Sequence, residues 1–499
     1  MTKLTIYFTS DTHGYLYPNN FAGKQPRPMG LLSMHFPKDE NTLVIDGGDT
    51  IQGSPMTYFC QLNGLELPIA DAMNARGYDY VTLGNHDFNN GPEYLRRHLE
   101  KLNAQCLCAN VEDREGKLPI LPSAVHTLGN GLRVGLVGIV TDWVNLWEKP
   151  ENLTTLTVSD PFAAAKKAIE ALDADIVVGI YHGGVERDLD TGRLLSQTNE
   201  NIACRLCEEL DIDLLLTGHQ HIAMAGCSWH GTHIVQTPCN AAAYVKVEMD
   251  GDGHFTSELC SVPDTAQLTP SEEQLWTDVN AWLDKPIGRL SQPIWPEDKL
   301  TMALRGSSIA DFFNTVQLWA SGADVSCAAL GNELRGFDSD VTVRDVVASY
   351  IYSNTLVVFE VTGAVLKAAL EQCARYFAVR ADGTVQIAEN FLRPKEAHYN
   401  FDYFSGVEYT FDLSRPEGDR VASLTRGGRP VAMDEKLTLV MCNYRATGAG
   451  DFECYLSCPR VREIQTEVSE LILNYLVEHP YVDIPPEHPC RAVMDGNPL

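Results

Sequence analysis

Leu43-Val-Ile-Asp-Gly-Gly-Asp49 decides the fold. Three apolar residues run without interruption into an acid–glycine–glycine–acid cluster. A short, unbroken apolar run is the signature of a strand buried on both faces. The cluster that closes it places two carboxylates at that strand's carboxyl end. The pattern recurs through the first half of the chain. Leu4-Thr-Ile-Tyr-Phe8 leads to Asp11-Thr-His13, and Tyr80-Val-Thr-Leu83 leads to Gly84-Asn-His-Asp87. Ile176-Val-Val-Gly-Ile180 leads to Tyr181-His182-Gly-Gly184, and Leu214-Leu-Leu216 leads to Gly218-His-Gln-His221. Val134-Gly-Leu-Val-Gly-Ile139 is a further run, and Asp160 to Leu172 reads as a helix between runs. Apolar strands alternating with helices predict a layered α/β domain. Its polar clusters lie where such sheets place ligands, beyond the carboxyl ends of the strands.

Taken singly, each cluster has an ordinary reading. Asp-Gly-Gly-Asp makes a turn, and a histidine beside a strand satisfies a polar neighbour. Together they supply carboxylates, imidazoles and one amide, with no thiolate among them. That donor set suits Mn²⁺, Zn²⁺, Fe or Mg²⁺ rather than a structural cysteine–zinc site. Phosphate monoester hydrolysis is a reaction that demands such help, with enhancements of up to ~10²¹. Two ions about 3.5–4 Å apart can hold the phosphoryl oxygens and bring water near neutral ionisation. One carboxylate must hold such ions together, and Asp49 is the expected bridge. Neutral imidazoles at His13, His182, His219 and His221 would fill the shells without cancelling the positive charge.

Composition narrows the partners. The chain has 499 residues, 44% of them hydrophobic, so two globular domains are expected. The formal net charge is −29, from 67 acids against 38 bases. That charge repels a nucleic acid polymer but leaves room for a small phosphorylated substrate at a cationic centre. No apolar run has the length of a membrane span, and no membrane partner is expected. Fourteen cysteines are scattered without a framework, and the chain enters a strand-like run at Leu4. Reduced thiols in a cytoplasmic enzyme are the expectation. Near residue 260 the texture changes. Leu275, Trp276, Val279, Trp282 and Leu283 share one helical face, and Pro286 stops it, predicting a connecting helix over 271–285. A last helix is read with Ile464, Val468, Leu471, Ile472 and Tyr475 on one face. Cys204-Arg-Leu-Cys207 reads as a helix face, Cys106-Leu-Cys108 as a strand, and Arg426-Gly-Gly-Arg429 as a hairpin turn.

The five motifs resemble those of the calcineurin-like metallophosphatases. With Ile51-Gln-Gly-Ser-Pro55 after Asp49, their order and spacing resemble the two-domain 5′-nucleotidase family. The resemblance implies a four-layer metallophosphatase-type β-sandwich flanked by helices over 1–265, a connecting helix within 266–290, and a mixed α+β nucleoside-binding domain over 291–499. It implies that Asp11, His13, Asp49 and His221 hold one metal and Asp49, Asn85, His182 and His219 the other. His86 would face the substrate phosphate as electrostatic stabiliser or proton donor. Many 5′-nucleotidases pair this histidine with an aspartate three residues on. Asn89 stands there, as in the branch that resembles 2′,3′-cyclic-nucleotide 2′-phosphodiesterase/3′-nucleotidases.

In the second half, Gly331-Asn-Glu-Leu-Arg335, Tyr352-Ser-Asn354, the run Asn400-Phe-Asp-Tyr-Phe404-Ser-Gly406 and Asn443-Tyr-Arg-Ala-Thr-Gly448 resemble the family's nucleoside-binding motifs. By that match Phe404 and Tyr444 would sandwich the base, and Asn332 and Arg335 would meet ribose or phosphate oxygens. By spacing alone, Phe404 and Tyr444 are equally ordinary core aromatics. The expected activity is metal-dependent hydrolysis of nucleotide monoesters to nucleoside and phosphate with broad base tolerance. The alternative is cyclic phosphodiesterase with 3′-nucleotidase activity. A nucleotide-binding module that has lost activity is the rival from outside enzymes, and the full donor set with His86 argues against it.

Overall fold

The computed structural model describes residues 3–195, 199–332, 334–350, 352, 354–392 and 396–499. Two compact units divide between Val279 and Asn280, within the helix Pro270–Leu283. That helix lies one residue from its predicted start, and Pro286 opens the next strand, Pro286–Leu290.

The first unit is built on two sheets. One has seven strands, with Leu4–Thr9 at its middle, pairing in parallel with Thr42–Asp46 and antiparallel with Ala243–Met249. Tyr80–Val81 continues the parallel run. The other sheet has six strands, with Arg133–Val140, Ile176–His182, Leu214–Thr217 and Thr232–Gln236 all parallel. Alternation explains the layering. Val134, Leu136, Val178, Ile180, Leu214 and Leu216 point inward and meet Ile6, Phe8 and Ile45 of the first sheet in a dry core. The residues between them, Val137, Ile139, Tyr181 and Leu215, point outward and pack on Ala165 and Ala168 of helix Pro161–Glu170 and Cys204 and Leu206 of helix Ala203–Glu209. Both cysteines of the Cys204–Cys207 pair are buried on that helix. Asp160 caps the first helix, its carboxylate accepting from Ala163 N at 2.7 Å. The result is a β-sandwich flanked by helices, as the sequence predicts. Leu4–Thr9, Thr42–Asp46 and Tyr80–Val81 run parallel in one sheet, Ile176–His182 and Leu214–Thr217 run parallel in the other, and each of the five leads into one of the polar motifs.

The second unit is mixed. A five-stranded sheet takes Asp402–Ser405, Val325–Ala329, Lys436–Cys442, Leu356–Thr362 and Arg460–Ile464 in that order. Another joins Glu408–Asp412, Val421–Arg426 and Cys490–Met494, with Gly427 and Gly428 at positive φ making the expected turn before Arg429. Helices Ser308–Ser321, Gly363–Ala374 and Val468–Glu478 complete it. One expectation is corrected here. Ile464 does not share the last helix with Val468. It ends the strand Arg460–Ile464, pairing with Leu356, because apolar periodicity alone does not mark where a strand hands over to a helix.

Candidate metal centre

Five of the predicted ligands have left-handed backbones: Asp11 (φ 54°), His13 (47°), Asp49 (55°), His219 (71°) and His221 (58°). Non-glycine residues rarely adopt this region, and each such residue costs on the order of 1–3 kcal/mol. Strain clustered on one set of side chains marks a place where geometry outranks local preference. The loops that hold it are built for close approach. A Cβ on Gly84 would lie 2.1 Å from Asp49 Oδ1, so only glycine lets the Asn85 loop come this near. Asp87 organises the same loops. Its carboxylate accepts from the backbone N–H of Asp49, Thr50, Ile51 and Gly84 at 2.8–3.1 Å. Asp46 accepts from Thr9, Thr50 and Gly48 N, and burial pushes its carboxyl up to about 7. Both acids of these motifs therefore shape the loops.

Six of the seven side chains come together in two groups. Asp11, His13 and His221 form one, and Asp49, His182 and His219 the other, with the candidate ligand atoms of each group within 4.8 Å of one another. Asn85 adds a carbonyl oxygen, 5% exposed as a residue. The hydrogen bonds fix which nitrogens are free. His182 Nδ1 lies 2.7 Å from the carbonyl of Gly47, so it carries a proton, and Nε2 is the nitrogen a metal would take. His13 Nδ1 faces the carbonyl of Gln52 at 3.0 Å in the same way. His13 Nε2 then meets His221 Nε2 at 3.2 Å, and His221 Nε2 lies 3.4 Å from Asp11 Oδ1. His182 Nε2 lies 3.1 Å from Asp49 Oδ2, yet neither atom has a hydrogen-bond partner, nor has Asn85 Oδ1. Buried polar atoms left unpaired are expensive. Unpaired oxygen and nitrogen atoms beside imidazoles are what divalent cations need, so these residues fit a dinuclear centre.

The electrostatics agree. Burial works to raise the Asp11 carboxyl, but the imidazoles of His182 and His221 outweigh it and hold it at about 2. Asp49 is likewise held well below the usual carboxylate range against its burial, by His182, His86 and His13. Burial, joined by the neighbouring His221 and His86, pushes His13 down to about 4 against Asp49 and Asp11, which keeps it neutral. His182 goes the other way: its burial is overcome by Asp49 and Asp11, which raise it to about 9. His219 is braced from outside, with Nε2 3.1 Å from Glu200 Oε1 and the Trp147 ring stacked on it at 5.4 Å.

His86 sits apart from both groups. It lies in the turn Asn85–Phe88, donates its backbone N–H to Asp49 Oδ1 at 2.7 Å, and sets its ring edge-on to His13 at 5.4 Å. Its Nδ1 meets Asn89 Oδ1 at 2.8 Å. A third acidic group, Asp250, Asp252 and His254, is fully exposed on a hairpin turn.

In the second unit the expectations fare differently. Phe404 is 1% exposed in the strand Asp402–Ser405, edge-on to Tyr409 at 6.0 Å. It is a core ring and has no face for a base, which corrects its assignment to the slot. Asn332 spends its amide on the chain itself, donating to the carbonyl of Glu396 and accepting from His398 N. These two bonds fix its side chain and leave one N–H and one lone pair. Arg335 is exposed. Glu333 and Ser353 of the quoted motifs lie outside the described residues. Tyr444 is 42% exposed and stands 6.2 Å from Tyr399 at 72°, with the 39% exposed Tyr352 close to both. The sequence reading missed Tyr399. The two loops that carry Tyr399 and Tyr444 are locked by Arg445, buried in a two-point ion pair with Asp402 (2.7 and 3.0 Å) and donating to the carbonyls of Tyr399 and Ala449.

Comparison with known proteins follows the same division. The calcineurin-like phosphoesterase family model matches residues 4–223, and that of the 5′-nucleotidase C-terminal domain matches residues 286–456. A Staphylococcus aureus protein described as a 5′-nucleotidase, solved in complex with α-ketoglutarate, is 32% identical. It aligns over 98% of this chain and 99% of its own, with a TM-score of 0.73. A 2′,3′-cyclic-nucleotide 2′-phosphodiesterase/3′-nucleotidase of Salmonella typhimurium is 25% identical over 89% of this chain and 81% of its own length. A trifunctional nucleotide phosphoesterase protein of Bacillus subtilis is 24% identical over 96% of this chain, which spans 38% of that longer protein.

Proposed function

We propose, from the premise that this chain belongs to the two-domain 5′-nucleotidase family with its calcineurin-like phosphoesterase domain, that it hydrolyses nucleotide phosphate monoesters to nucleoside and phosphate with little regard for the base. The observation that carries this reading is the set of buried, unpaired donors, Asp49 Oδ2, Asn85 Oδ1 and His182 Nε2, beside a histidine that belongs to neither ligand group. Asp11, His13, Asp49 and His221 are assigned to one ion, and Asp49, Asn85, His182 and His219 to the other. Two divalent ions held there supply a Lewis-acid hold on the phosphoryl oxygens and a water-derived nucleophile at neutral pH.

The rest falls to the chain's own groups. Gly47 and Gln52 carbonyls keep the free nitrogens of His182 and His13 turned inward. His86, its Nδ1 engaged by Asn89, presents Nε2 for the phosphate or for protonating the leaving oxygen, a role worth roughly 10²–10⁴-fold. Tyr444, with Tyr399 beside it, offers a ring face on which any base can stack. Base tolerance follows, because stacking reads the π-face rather than the hydrogen-bonding edge. Fourteen cysteines, all free and many buried, fit a reducing cytoplasm. Thiol mapping on protein taken from cells should find them reduced, and several stable disulfides would move the protein to an oxidising compartment. The strongly acidic surface fits a small-molecule partner and neither nucleic acid nor membrane.

A second reading, cyclic phosphodiesterase with 3′-nucleotidase activity, is favoured by one observation. Asn89 hydrogen-bonds His86 where a dyad aspartate would stand. A panel of 5′-, 3′- and 2′,3′-cyclic nucleotides with Mn²⁺ decides between them. Turnover of 5′-monophosphates of all four bases supports the first reading. Turnover confined to 3′ and cyclic substrates supports the second.

A further inference from the structure

The neutral amide of Asn89 is held by a carboxylate the sequence gives no hint of. Asn89 Nδ2 donates to Glu148 Oε2 at 2.6 Å, 59 residues away in the chain. Glu148 follows the short helix Val144–Trp147 and is itself fixed. Its other oxygen accepts from Lys149 N at 2.7 Å and from Asn152 Nδ2 at 2.8 Å. The same Asn152 nitrogen donates to the carbonyl of Asn89 at 2.7 Å. Both ends of the link are thereby tied, and one carboxylate oxygen is left for Asn89.

A carboxylate can only accept hydrogen bonds. Glu148 therefore dictates that Asn89 points its NH₂ outward and its oxygen at His86. An amide oxygen can only accept, so His86 Nδ1 carries a proton, and the lone pair of a neutral ring is not spent on Asn89. We infer that Glu148 is a positioning residue of the reaction, which fixes the amide orientation of Asn89 and through it keeps the proton on His86 Nδ1 when Nε2 donates to the substrate. The structure thus replaces a two-membered His–Asp pair by the three-membered chain His86–Asn89–Glu148, with the charge one residue further out. Hydrogen bonds in such a chain strengthen one another. The inference rests on the proposed role of His86.

The hydrogen-bond polarity makes it testable by exchange. In Glu148→Gln, the new side-chain oxygen must still accept from Lys149 N and Asn152, so its NH₂ faces Asn89. The Asn89 amide must then flip, turning a donor on His86 Nδ1, which can no longer hold its proton while Nε2 donates. In the double variant Asn89→Asp with Glu148→Gln, every donor again meets an acceptor, and His86 Nδ1 keeps its partner. Glu148→Gln should lose kcat by about 10–100-fold, the scale on which outer partners of site histidines act. KM, metal content and melting temperature should stay unchanged. The double variant should recover most of that loss, and Asn89→Asp alone, with two carboxylates face to face, should not. His86→Ala is measured alongside. If it loses kcat while Glu148→Gln does not, this inference fails and the role of His86 stands. Should His86→Ala turn over like wild type, both fall. A Glu148→Gln variant whose loss is matched by a lowered melting temperature and is not recovered in the double variant would make Glu148 a loop staple and overturn the inference.

Discussion

The two halves of this molecule differ in how openly their sequence carries their chemistry. In the first unit, Asp11, His13 and His221 fall in one group and Asp49, His182 and His219 in another, with both His219 and His221 part-buried, and Asn85 is buried as well. In the second, Phe404 turned out to be core and Asn332 a loop tie, while Tyr399 was missed. The difference is physical. A buried carboxylate or imidazole has few reasons to exist except a charge or metal to meet. A buried phenylalanine needs no reason at all. Polar chemistry at a strand end is therefore legible, and an aromatic slot is written in the same letters as a hydrophobic core.

Substitutions can widen or collapse that contrast. The largest effect is expected at Asp49. Asp49→Asn removes the carboxylate whose unpaired oxygen faces His182. Metal analysis should show ions lost and turnover reduced by more than the roughly 10–100-fold an outer partner costs. Full occupancy with normal turnover would break the first half of the comparison.

Phe404→Ala comes next. As a core truncation it should lower stability by about 3–5 kcal/mol, read as melting temperature, and depress nucleotide and aryl phosphate hydrolysis together. Tyr444→Ala should do the reverse. Nucleotide kcat/KM should weaken by about 1–3 kcal/mol, one stacking interaction, with aryl phosphate hydrolysis and melting temperature held. If Phe404→Ala behaved like Tyr444→Ala, the core assignment would be wrong.

The smallest effect concerns pH and the metal-stripped protein. His182 is raised from 6.5 to about 9, so its contribution to stability is present below 6.5 and is lost as pH rises through 9. Asp11 is lowered from 3.8 to about 2, so its contribution is present above 3.8 and is lost as pH falls toward 2. Between pH 4 and 6.5 the lowered His13 and the raised Asp46 act in opposite directions, and above 6.5 His13 adds nothing, so the stripped protein's melting temperature should decline from pH 6.5 toward 9. Loaded protein should keep its stability on the alkaline side, because ligands must be deprotonated to bind. A stripped protein that grows more stable from pH 6.5 to 9 would contradict the assigned charges.

The legible and the hidden can be traced to particular residues. Leu43–Ile45, Ile176–Ile180 and Leu214–Leu216 announced their strands, because parallel strands are apolar throughout. A layered α/β domain followed from them, and the sandwich from the family resemblance. Ile464 was misplaced because a strand end and a helix face share its apolarity. The left-handed backbones at Asp11, His13, Asp49, His219 and His221 had no sequence signal, since that conformation is imposed by the tertiary fold. Glu148 was hidden for a related reason. It acts across 59 residues, and only the position of Asn89 Nδ2 makes an acceptor necessary there. Asp87, by contrast, stood in a quoted motif, but its role in gathering four backbone N–H groups is visible only in three dimensions.

The central claim is that two buried ligand groups in the first unit form one dinuclear centre on which nucleotide hydrolysis depends. The direct test is to strip the protein of metal, add Mn²⁺ stepwise, and follow bound metal and release of phosphate from adenosine monophosphates together. Turnover should be absent from the stripped protein and should reach its plateau only as the second ion per chain binds. Turnover that survives stripping, or that is complete with a single ion bound, would contradict it.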